Sequence, residues 1–243
     1  MYSGLELRRI LSVSIYRDPV ESYGILPVCV NTGTCMMIQR KHTLWFLLLL
    51  RGKVTVSCVP HLMKKITTQE FNLIESILGN QEKYINLLQS IYKSPKYADQ
   101  SWTTFNSYSP LLCKCVEKLR DYPRKEEPPF LWPKGVKDSI TESNIDSAAR
   151  ELKEESGVEN FPDDSQLVMS EITYTNTGID RDYSVTFWIM LVTDEIQLTK
   201  PHVSDEEVID RRWVKFEEVP QLLDSDTERD AFKKVIEILQ RVG

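Results

Sequence analysis

The chain has 243 residues, of which 41% are hydrophobic and 27% are charged, a balance typical of one large globular domain or of a domain with a substantial insertion. The N-terminus lacks the apolar core of a secretory signal, and the longest apolar run, Leu44–Leu50, is too short to span a bilayer, so we expect it to be a buried element. We therefore expect an intracellular, cytoplasmic protein without a membrane partner. The five cysteines lack zinc-binding spacing, which predicts reduced and mostly buried thiols.

Charge is distributed unevenly between the two halves of the chain. Residues 1–127 contain 17 Lys and Arg against 11 Asp and Glu, a net charge of +6, whereas residues 128–243 contain 13 against 25, a net charge of −12. A basic half joined to an acidic half indicates a polyanion site beside a metal-binding site. Helical surfaces that merely differ in charge would give the same counts.

The first predicted element is a β-hairpin. Apolar residues fill 24–30 and 35–39, and an Asn-Thr-Gly turn separates the two runs. From Leu62 to about Leu119, apolar residues recur instead at helical spacing, and Gly79-Asn80 is expected to break this segment into separate helices. We expect residues 56–127 to form a helical insertion that interrupts the domain begun by the hairpin.

Strands return in the acidic half. Two segments rich in β-forming residues flank a loop at Gly178, and a third strand runs through Trp213. The chain ends in an amphipathic helix with its N-cap near Thr227. This order of elements predicts an α+β fold in which residues 1–55 and 128–243 form one domain.

An acidic helix near residue 150 gives the strongest functional signal. Its apolar residues recur at i, i+3, i+4 and i+7 from Ile145, which produces one buried face. A separate flank carries the carboxylates of Glu151, Glu154 and Glu155. Like charges at this spacing destabilise an isolated helix by roughly 0.2–0.5 kcal/mol per pair. Either water screens these carboxylates or a cation lies among them, and hard divalent cations such as Mg²⁺ and Mn²⁺ prefer oxygen ligands.

The spacing around this helix resembles the Nudix box, G-x5-E-x7-R-E-U-x-E-E-x-G-U, where U is an aliphatic residue. Every fixed position from Glu142 to Val158 matches. Six residues rather than five separate Gly135 from Glu142, which is a one-residue insertion in a loop. The resemblance implies a Nudix α/β/α sandwich with a helical insertion. It also implies hydrolysis of a nucleoside diphosphate linked to another group.

The resemblance further implies a role for each residue of the box. The implied ligands of Mg²⁺ or Mn²⁺ are Glu151, Glu154, Glu155 and the carbonyl of Gly135. Glu151 would also orient or deprotonate the attacking water. Arg150 would hold the loop on the helix by pairing with Glu142 or Glu151, and Gly157 would end the helix.

Nudix enzymes usually need one more carboxylate, distant in the sequence. The segment SDEEVIDRRWVKFEEV resembles the family segment before a late strand. Glu207 is our first candidate for a fourth metal ligand or catalytic base, Glu206 the second and Asp210 the third. Each of these acids alone would also suit a solvated surface.

Two segments narrow the substrate class. WPKG at 132–135, followed by Lys137, resembles the P-K-G-K opening of decapping enzymes and of some diadenosine- and diphosphoinositol-phosphate hydrolases, in which Lys134 and Lys137 would face phosphates. Residues 22–54 resemble the opening of Nudix proteins of large nucleocytoplasmic DNA viruses, with Val54 in place of a tyrosine. The decapping enzymes of African swine fever virus and poxviruses share this layout of a Nudix domain split by helices.

These resemblances imply a viral decapping enzyme that hydrolyses m7GpppN-RNA to m7GDP and 5′-monophosphate RNA. The cations expected to bind RNA phosphates are Arg40, Lys41, Arg51 and Lys53. The aromatic residues that could stack on the cap or on bases, although they also suit a core, are Trp45, Tyr92, Trp102, Phe105 and Tyr108. Two alternatives stay open: a pyrophosphohydrolase of diphosphoinositol polyphosphates or dinucleoside polyphosphates, and a non-catalytic RNA-binding Nudix module. The three repelling carboxylates argue against the second.

Overall fold

The computed structural model describes residues 20–92, 98–158, 167–176, 183–193, 195 and 207–242. The strands in this part of the chain are β1 (Val20–Cys29), β2 (Thr34–Arg40), β3 (Phe130–Leu131), β4 (Lys134–Gly135), β5 (Leu167–Asn176), β6 (Tyr183–Val192) and β7 (Val208–Lys215). The α-helices are α1 (Leu44–Leu50), α2 (Val59–Lys65), α3 (Thr68–Ile77), α4 (Gln81–Ile91), α5 (Ala98–Ser107), α6 (Ser109–Leu119), α7 (Asn144–Ser156), α8 (Val219–Leu222) and α9 (Asp226–Val242). A 3₁₀ turn precedes α2 at Val56–Cys58.

The strands form one mixed sheet with β1 near its centre. The order is β3-β2-β1-β6-β5, while β4 also pairs with β1 and β7 with β2. The predicted hairpin is confirmed, because β1 and β2 are antiparallel and Val28 lies opposite Cys35. The two strands pair only beside their turn; farther along β1, Tyr23 lies opposite Gly135 of β4 instead. This exchange of partners brings Gly135 to the centre of the sheet.

Helices cover both faces of the sheet. Since successive side chains of a strand point to opposite faces, Ile25 of β1 packs on one face with Ala148 and Leu152 of α7, and Leu26 packs on the other with Phe232 of α9. The expected α/β/α sandwich is therefore present. The sheet is the middle layer of this sandwich, and α7 packs against its strands β1 and β4.

The helical insertion has a hydrophobic core of its own. Phe46 and Leu50 of α1 are fully buried in this core, together with Tyr84 of α4 and Phe105 of α5. The helices that pack together therefore begin at Leu44, upstream of residue 56, where we expected the insertion to start. The expected break between α3 and α4 is confirmed, and it lies at Gly79, whose φ of 69° suits glycine.

All five cysteines are free, and four of them are buried while Cys113 is exposed. Within the described residues, none of the helices has both the length and the apolarity needed to cross a bilayer.

Candidate active site

Helix α7 is built to present its acidic flank. The Ser143 side chain accepts a hydrogen bond from the backbone N–H of Asp146 and caps the N-terminus. Gly157 ends the helix in the left-handed conformation with a φ of 72°, as its position in the motif predicts. Ala148 and Leu152 are fully buried against the sheet, and this packing fixes which way the glutamates point.

Glu155 is the most deeply buried of the three glutamates. Its side chain is 8% exposed, and it accepts hydrogen bonds from the Arg40 guanidinium and, at 2.9 Å, from the backbone N–H of Lys134. Arg211 donates to the backbone carbonyl of the same residue. Burial raises the pKa of Glu155, while Arg40 and Lys134 oppose that rise.

Glu151 lies directly against Gly135. A Cβ atom added to Gly135 would lie 2.1 Å from the Glu151 carboxylate, so any other residue at this position would displace the acid. Burial raises the pKa of Glu151 to about 7, and the neighbouring charges of Glu155 and Glu154 add to the rise while Arg150 opposes it.

Arg150 ties the helix to the loop in front of it. Its Nε donates to Glu142 at 2.9 Å, its Nη1 to Glu151 at 2.8 Å, and its Nη2 to the carbonyl of Val136 at 2.9 Å. Both predicted contacts of Arg150, with Glu142 and with Glu151, are present. Arg150 also reaches Glu154 at 3.1 Å, a side chain that is 56% exposed.

Glu142 links the loop between Gly135 and α7 to the helix. One carboxylate oxygen of Glu142 accepts from the backbone N–H of Asp138 at 2.8 Å, and the other accepts from Arg150. The hydrogen bonds from Arg150 and Asp138 lower the pKa of Glu142, and the bond to Glu142 is the largest cause of the raised pKa of Arg150.

The two lysines expected to face phosphates differ in their surroundings. Lys134 extends its side chain toward the Phe187 ring, 5.9 Å from the centroid, and burial lowers its pKa while Glu228 opposes the shift. The Lys137 ammonium lies 5.3 Å from the centre of the Tyr23 ring. Since Phe187 belongs to the core cluster packed with α9 and Tyr23 to the cluster packed with α7, only Lys137 lies on the side of the glutamates.

The four cations expected to bind RNA also separate. Lys41, Arg51 and Lys53 are exposed near the base of the insertion, as expected. Arg40 is instead part of the site, because its guanidinium is engaged by Glu155 and by the carbonyl of Lys134 at 3.2 Å. Burial alone would lower the pKa of Arg40, but the pairing with Glu155 raises it above its ordinary value.

The three distal acids are not equivalent in position. Glu207 is exposed at the start of β7, and its backbone carbonyl accepts from the Lys41 N–H at 2.7 Å. Asp210 lies within β7, where it accepts from the N–H of Arg211 at 2.8 Å. Glu206 lies outside the described residues. A role for any of them at the metal stays a prediction.

Most aromatic residues proposed for stacking are structural. Phe105 is fully buried, Tyr108 is nearly so, and the rings of Trp102 and Phe105 pack with the ring of Tyr84 in the insertion. Trp45 is partly buried against the same core. Tyr92 is also partly buried against this core, and it borders a small cleft together with Arg40 and Glu207.

The glutamates of α7 suit a divalent cation by their chemistry. Their oxygens are the ligands that Mg²⁺ and Mn²⁺ prefer, and the missing Cβ of Gly135 leaves the place that the Glu151 carboxylate occupies. Within the described residues, no three His, Cys, Asp or Glu side chains converge closely enough to hold a metal ion. The carboxylates are engaged by Arg40 and Arg150, so a cation would have to take over part of these contacts.

Residues 120–235 match the family model for the NUDIX domain. The chain contains a Nudix domain. Among solved structures, the chain is similar to a C. elegans Ap4A hydrolase in a binary complex, at 14% identity and a TM-score of 0.44, over 91% of this chain and 98% of that one. It is also similar to the NUDIX domain of Shewanella oneidensis NrtR complexed with ADP ribose, at 9% identity and a TM-score of 0.46, over 98% and 99% of the two chains.

A third similar structure is the E. coli dihydroneopterin triphosphate pyrophosphohydrolase, at 12% identity and a TM-score of 0.42, over 90% of this chain and 95% of that one. The comparison with curated protein sequences gave no match.

Proposed function

We propose that the chain is a metal-dependent hydrolase of phosphoanhydride bonds, and that its substrate is capped mRNA, cut to m7GDP and 5′-monophosphate RNA. The observation that carries the proposal is the acidic flank of α7, where the Glu151 carboxylate occupies the place that a side chain at Gly135 would fill. A degenerate domain would have no reason to retain three carboxylates that repel one another, which argues against a purely RNA-binding role.

Each charged residue of the flank has a part in this chemistry. Glu154 and Glu155 would hold Mg²⁺ or Mn²⁺ together with Glu151, and the carbonyl of Gly135 would complete that set. When bound, the cation would supply positive charge that stabilises the phosphate oxygens and acidifies water. Glu151, beside Gly135, would accept the proton of the attacking water. Arg150 positions Glu151 through the 2.8 Å hydrogen bond and keeps the loop in place.

Three observations support a capped RNA rather than a small substrate. Lys41, Arg51 and Lys53 are exposed where the insertion leaves the sheet. Residues 1–127, which include the insertion, carry a net charge of +6, from 17 Lys and Arg against 11 Asp and Glu. The opening of the chain and its P-K-G segment resemble those of viral decapping enzymes. Cations at the base of the insertion would neutralise phosphates beyond the cap, without preference for sequence.

The test is a comparison of substrates with Mg²⁺ and with Mn²⁺. Cap-labelled RNA, a dinucleoside polyphosphate and a diphosphoinositol polyphosphate are incubated separately with the protein, and the products are identified against m7GDP and m7GMP standards. We expect m7GDP from long capped RNA at the highest kcat/KM. Faster cleavage of either small substrate would contradict the choice of substrate, and cleavage of none of the three would contradict catalysis.

A further inference from the structure

The C-terminal end of α7 is held against the sheet by Arg211 of β7. The Nε of Arg211 donates a hydrogen bond to the backbone carbonyl of Glu155, 56 positions earlier in the chain. Carbonyls in the last turn of a helix have no acceptor role within the helix itself and need a donor from elsewhere. Arg211 therefore caps α7 from another element, and it does so at the most deeply buried glutamate of the acidic flank.

The register of β7 explains why Arg211 reaches α7. Successive side chains of a strand face opposite sides of the sheet. Trp213 packs with the core cluster on the α7 side, and Val214 packs with the cluster on the α9 side. Arg211 therefore faces α7 together with Trp213. Arg212 faces the other way, and its guanidinium carbon lies 4.0 Å from the centre of the Phe130 ring.

Glu155 is held by its backbone and by its side chain, and the two kinds of contact differ in what a cation would do to them. The carboxylate accepts from Arg40 and from the backbone N–H of Lys134. A cation would compete with Arg40 for these oxygens. The bond from Arg211 uses the backbone carbonyl instead, so it can persist while the carboxylate changes partners.

The two ends of the acidic flank have separate anchors. Glu151 lies about one helical turn before Glu155, and it is fixed by Arg150 and by its contact with Gly135. Helix ends fray when their last turn lacks such contacts. Ligand distances in a metal site have to be kept within about 0.2 Å, so fraying of the last turn at Glu155 would weaken the binding of a cation.

We propose that Arg211 is a positioning residue of the metal site: it binds the Glu155 carbonyl and thereby fixes the last turn of α7, so that the carboxylates of Glu155 and Glu151 keep their relative positions. The assignment rests on the proposed function for the presence of a divalent cation. It adds to the site a residue that lies outside the Nudix box and acts through Glu155.

The experiment measures Mn²⁺ binding to the full chain by electron paramagnetic resonance, in which the signal of free Mn²⁺ falls on binding. Arg211→Met keeps an aliphatic side chain and removes the donor. We expect it to bind Mn²⁺ about tenfold more weakly than wild type or worse, because losing a contact that orients a metal ligand typically costs about 10–100-fold in affinity. Arg211→Lys keeps the charge and a donor, so it should recover part of the affinity.

Arg212→Met is the matched control. It removes the same charge one residue further along β7, from a side chain that is 50% exposed and faces away from α7. Its Mn²⁺ affinity should equal that of wild type. Thermal unfolding shows the temperature range in which each variant is folded, and Arg211→Lys takes the place of Arg211→Met if the methionine variant does not fold.

Hydrogen exchange followed by mass spectrometry gives a second readout that needs no metal. In EDTA, Arg211→Met should speed the exchange of the backbone amides in the last turn of α7, because that turn loses its contact with β7. Arg212→Met should leave the same amides unchanged. Equal exchange in the two variants would contradict the anchoring of α7 by Arg211.

A double-mutant cycle with Glu155→Gln tests whether Arg211 acts through Glu155. Once the carboxylate is an amide, its exact position matters less to the cation. Arg211→Met should therefore lower Mn²⁺ affinity by a smaller factor in the Glu155→Gln background than in wild type. An equal factor in both backgrounds would overturn the proposal, because Arg211 would then act independently of Glu155.

The outcomes separate this proposal from the proposed function. Equal Mn²⁺ affinity of wild type and Arg211→Met, or an equal loss in Arg212→Met, would overturn the positioning role even if the protein hydrolyses capped RNA. A protein that shows the expected order of Mn²⁺ affinities but hydrolyses none of the substrates would support the role of Arg211 and contradict the proposed function alone.

Discussion

The Nudix sandwich and the helical insertion use their charged residues in opposite ways. In the sandwich, Arg40 and Arg150 turn toward a cluster of carboxylates, two of which have raised pKa values. In the insertion, both carboxylate oxygens of the buried acid Glu70 accept hydrogen bonds. The donors are the backbone N–H and the hydroxyl of Thr43 and the backbone N–H of Thr67. Most other charges of the insertion are exposed.

The difference shows which region is organised for stability and which for chemistry. The Glu70 carboxylate caps the N-terminus of α3 and binds Thr43 at the start of α1. This buried charge therefore has a structural role. The glutamates of α7 are held by arginines, and a metal ion could replace these arginines as the partners of the carboxylates. Polar groups with exchangeable partners indicate a functional site, whereas satisfied and buried ones indicate packing.

The largest expected effect on stability comes from the core of the insertion. Phe105→Ala should lower the free energy of unfolding by about 3–5 kcal/mol, because Phe105 is fully buried against Tyr84 and Trp102. Urea unfolding followed by circular dichroism measures the change, with Phe105→Leu as a milder control. A loss below about 1 kcal/mol would show that the insertion does not depend on this cluster.

A matched pair of variants sharpens the comparison inside α7. Glu155→Gln removes the charge that pairs with Arg40, and should lower stability by about 1–2 kcal/mol after allowance for the partial exposure of Arg40. Glu154→Gln changes an acid that is 56% exposed and should leave stability nearly unchanged without metal. Thermal unfolding of both variants in EDTA measures the two losses of stability. Equal losses would mean that burial does not distinguish the two acids.

Arg150 connects the loop to the helix, so its removal should affect both stability and rate. Arg150→Ala should lower the free energy of unfolding by about 1–2 kcal/mol, because Glu142, Glu151 and the carbonyl of Val136 all lose a donor. Arg150→Lys keeps the positive charge but lacks the planar guanidinium with its several N–H donors, so it should recover only part of the lost stability. If the alanine variant melts like wild type and only the rate falls, Arg150 contacts substrate instead.

The smallest effect is expected at the exposed base of the insertion. The double variant Arg51→Ala, Lys53→Ala should weaken binding of long capped RNA and reduce the slope of log K against log salt by about one to two. Hydrolysis of a short pyrophosphate substrate should change less. The double variant Lys114→Ala, Lys118→Ala, which removes two cations from α6, is the charge-matched control. An unchanged salt slope would contradict RNA binding by Arg51 and Lys53.

Sequence spacing predicted the features that depend on local periodicity. The hairpin, the break at Gly79 and the ends of α7 follow from turn residues, capping residues and the recurrence of apolar positions. The start of the insertion at residue 56 stays a prediction. The helix at Leu44–Leu50, which packs with the later helices, was not predicted as a helix, because the run is apolar at every position and periodicity cannot distinguish a helix from a strand in such a run.

The contacts between distant segments could not be predicted in this way. Arg40 and Glu155 are separated by 115 residues, and no spacing rule connects them. The direction of the Lys134 side chain follows from the position of Gly135. Successive residues of a strand face opposite sides of a sheet, so when Gly135 faces Glu151, Lys134 faces the other side, toward Phe187. The motif supplied the residue types of the site, and the sheet determined which of them meet.

The central claim is that the carboxylates of α7 carry metal-dependent hydrolysis, and turnover of Glu154→Gln tests it most directly. This acid is 56% exposed, so its amide variant should keep the fold; the variant loses a carboxylate for a divalent ion together with the exposed ion pair to Arg150. With cap-labelled RNA and Mn²⁺, we expect m7GDP release by wild type and a loss of about a thousandfold or more in kcat/KM for the variant, equivalent to about 4 kcal/mol of transition-state stabilisation. Equal rates for the two proteins would contradict the claim.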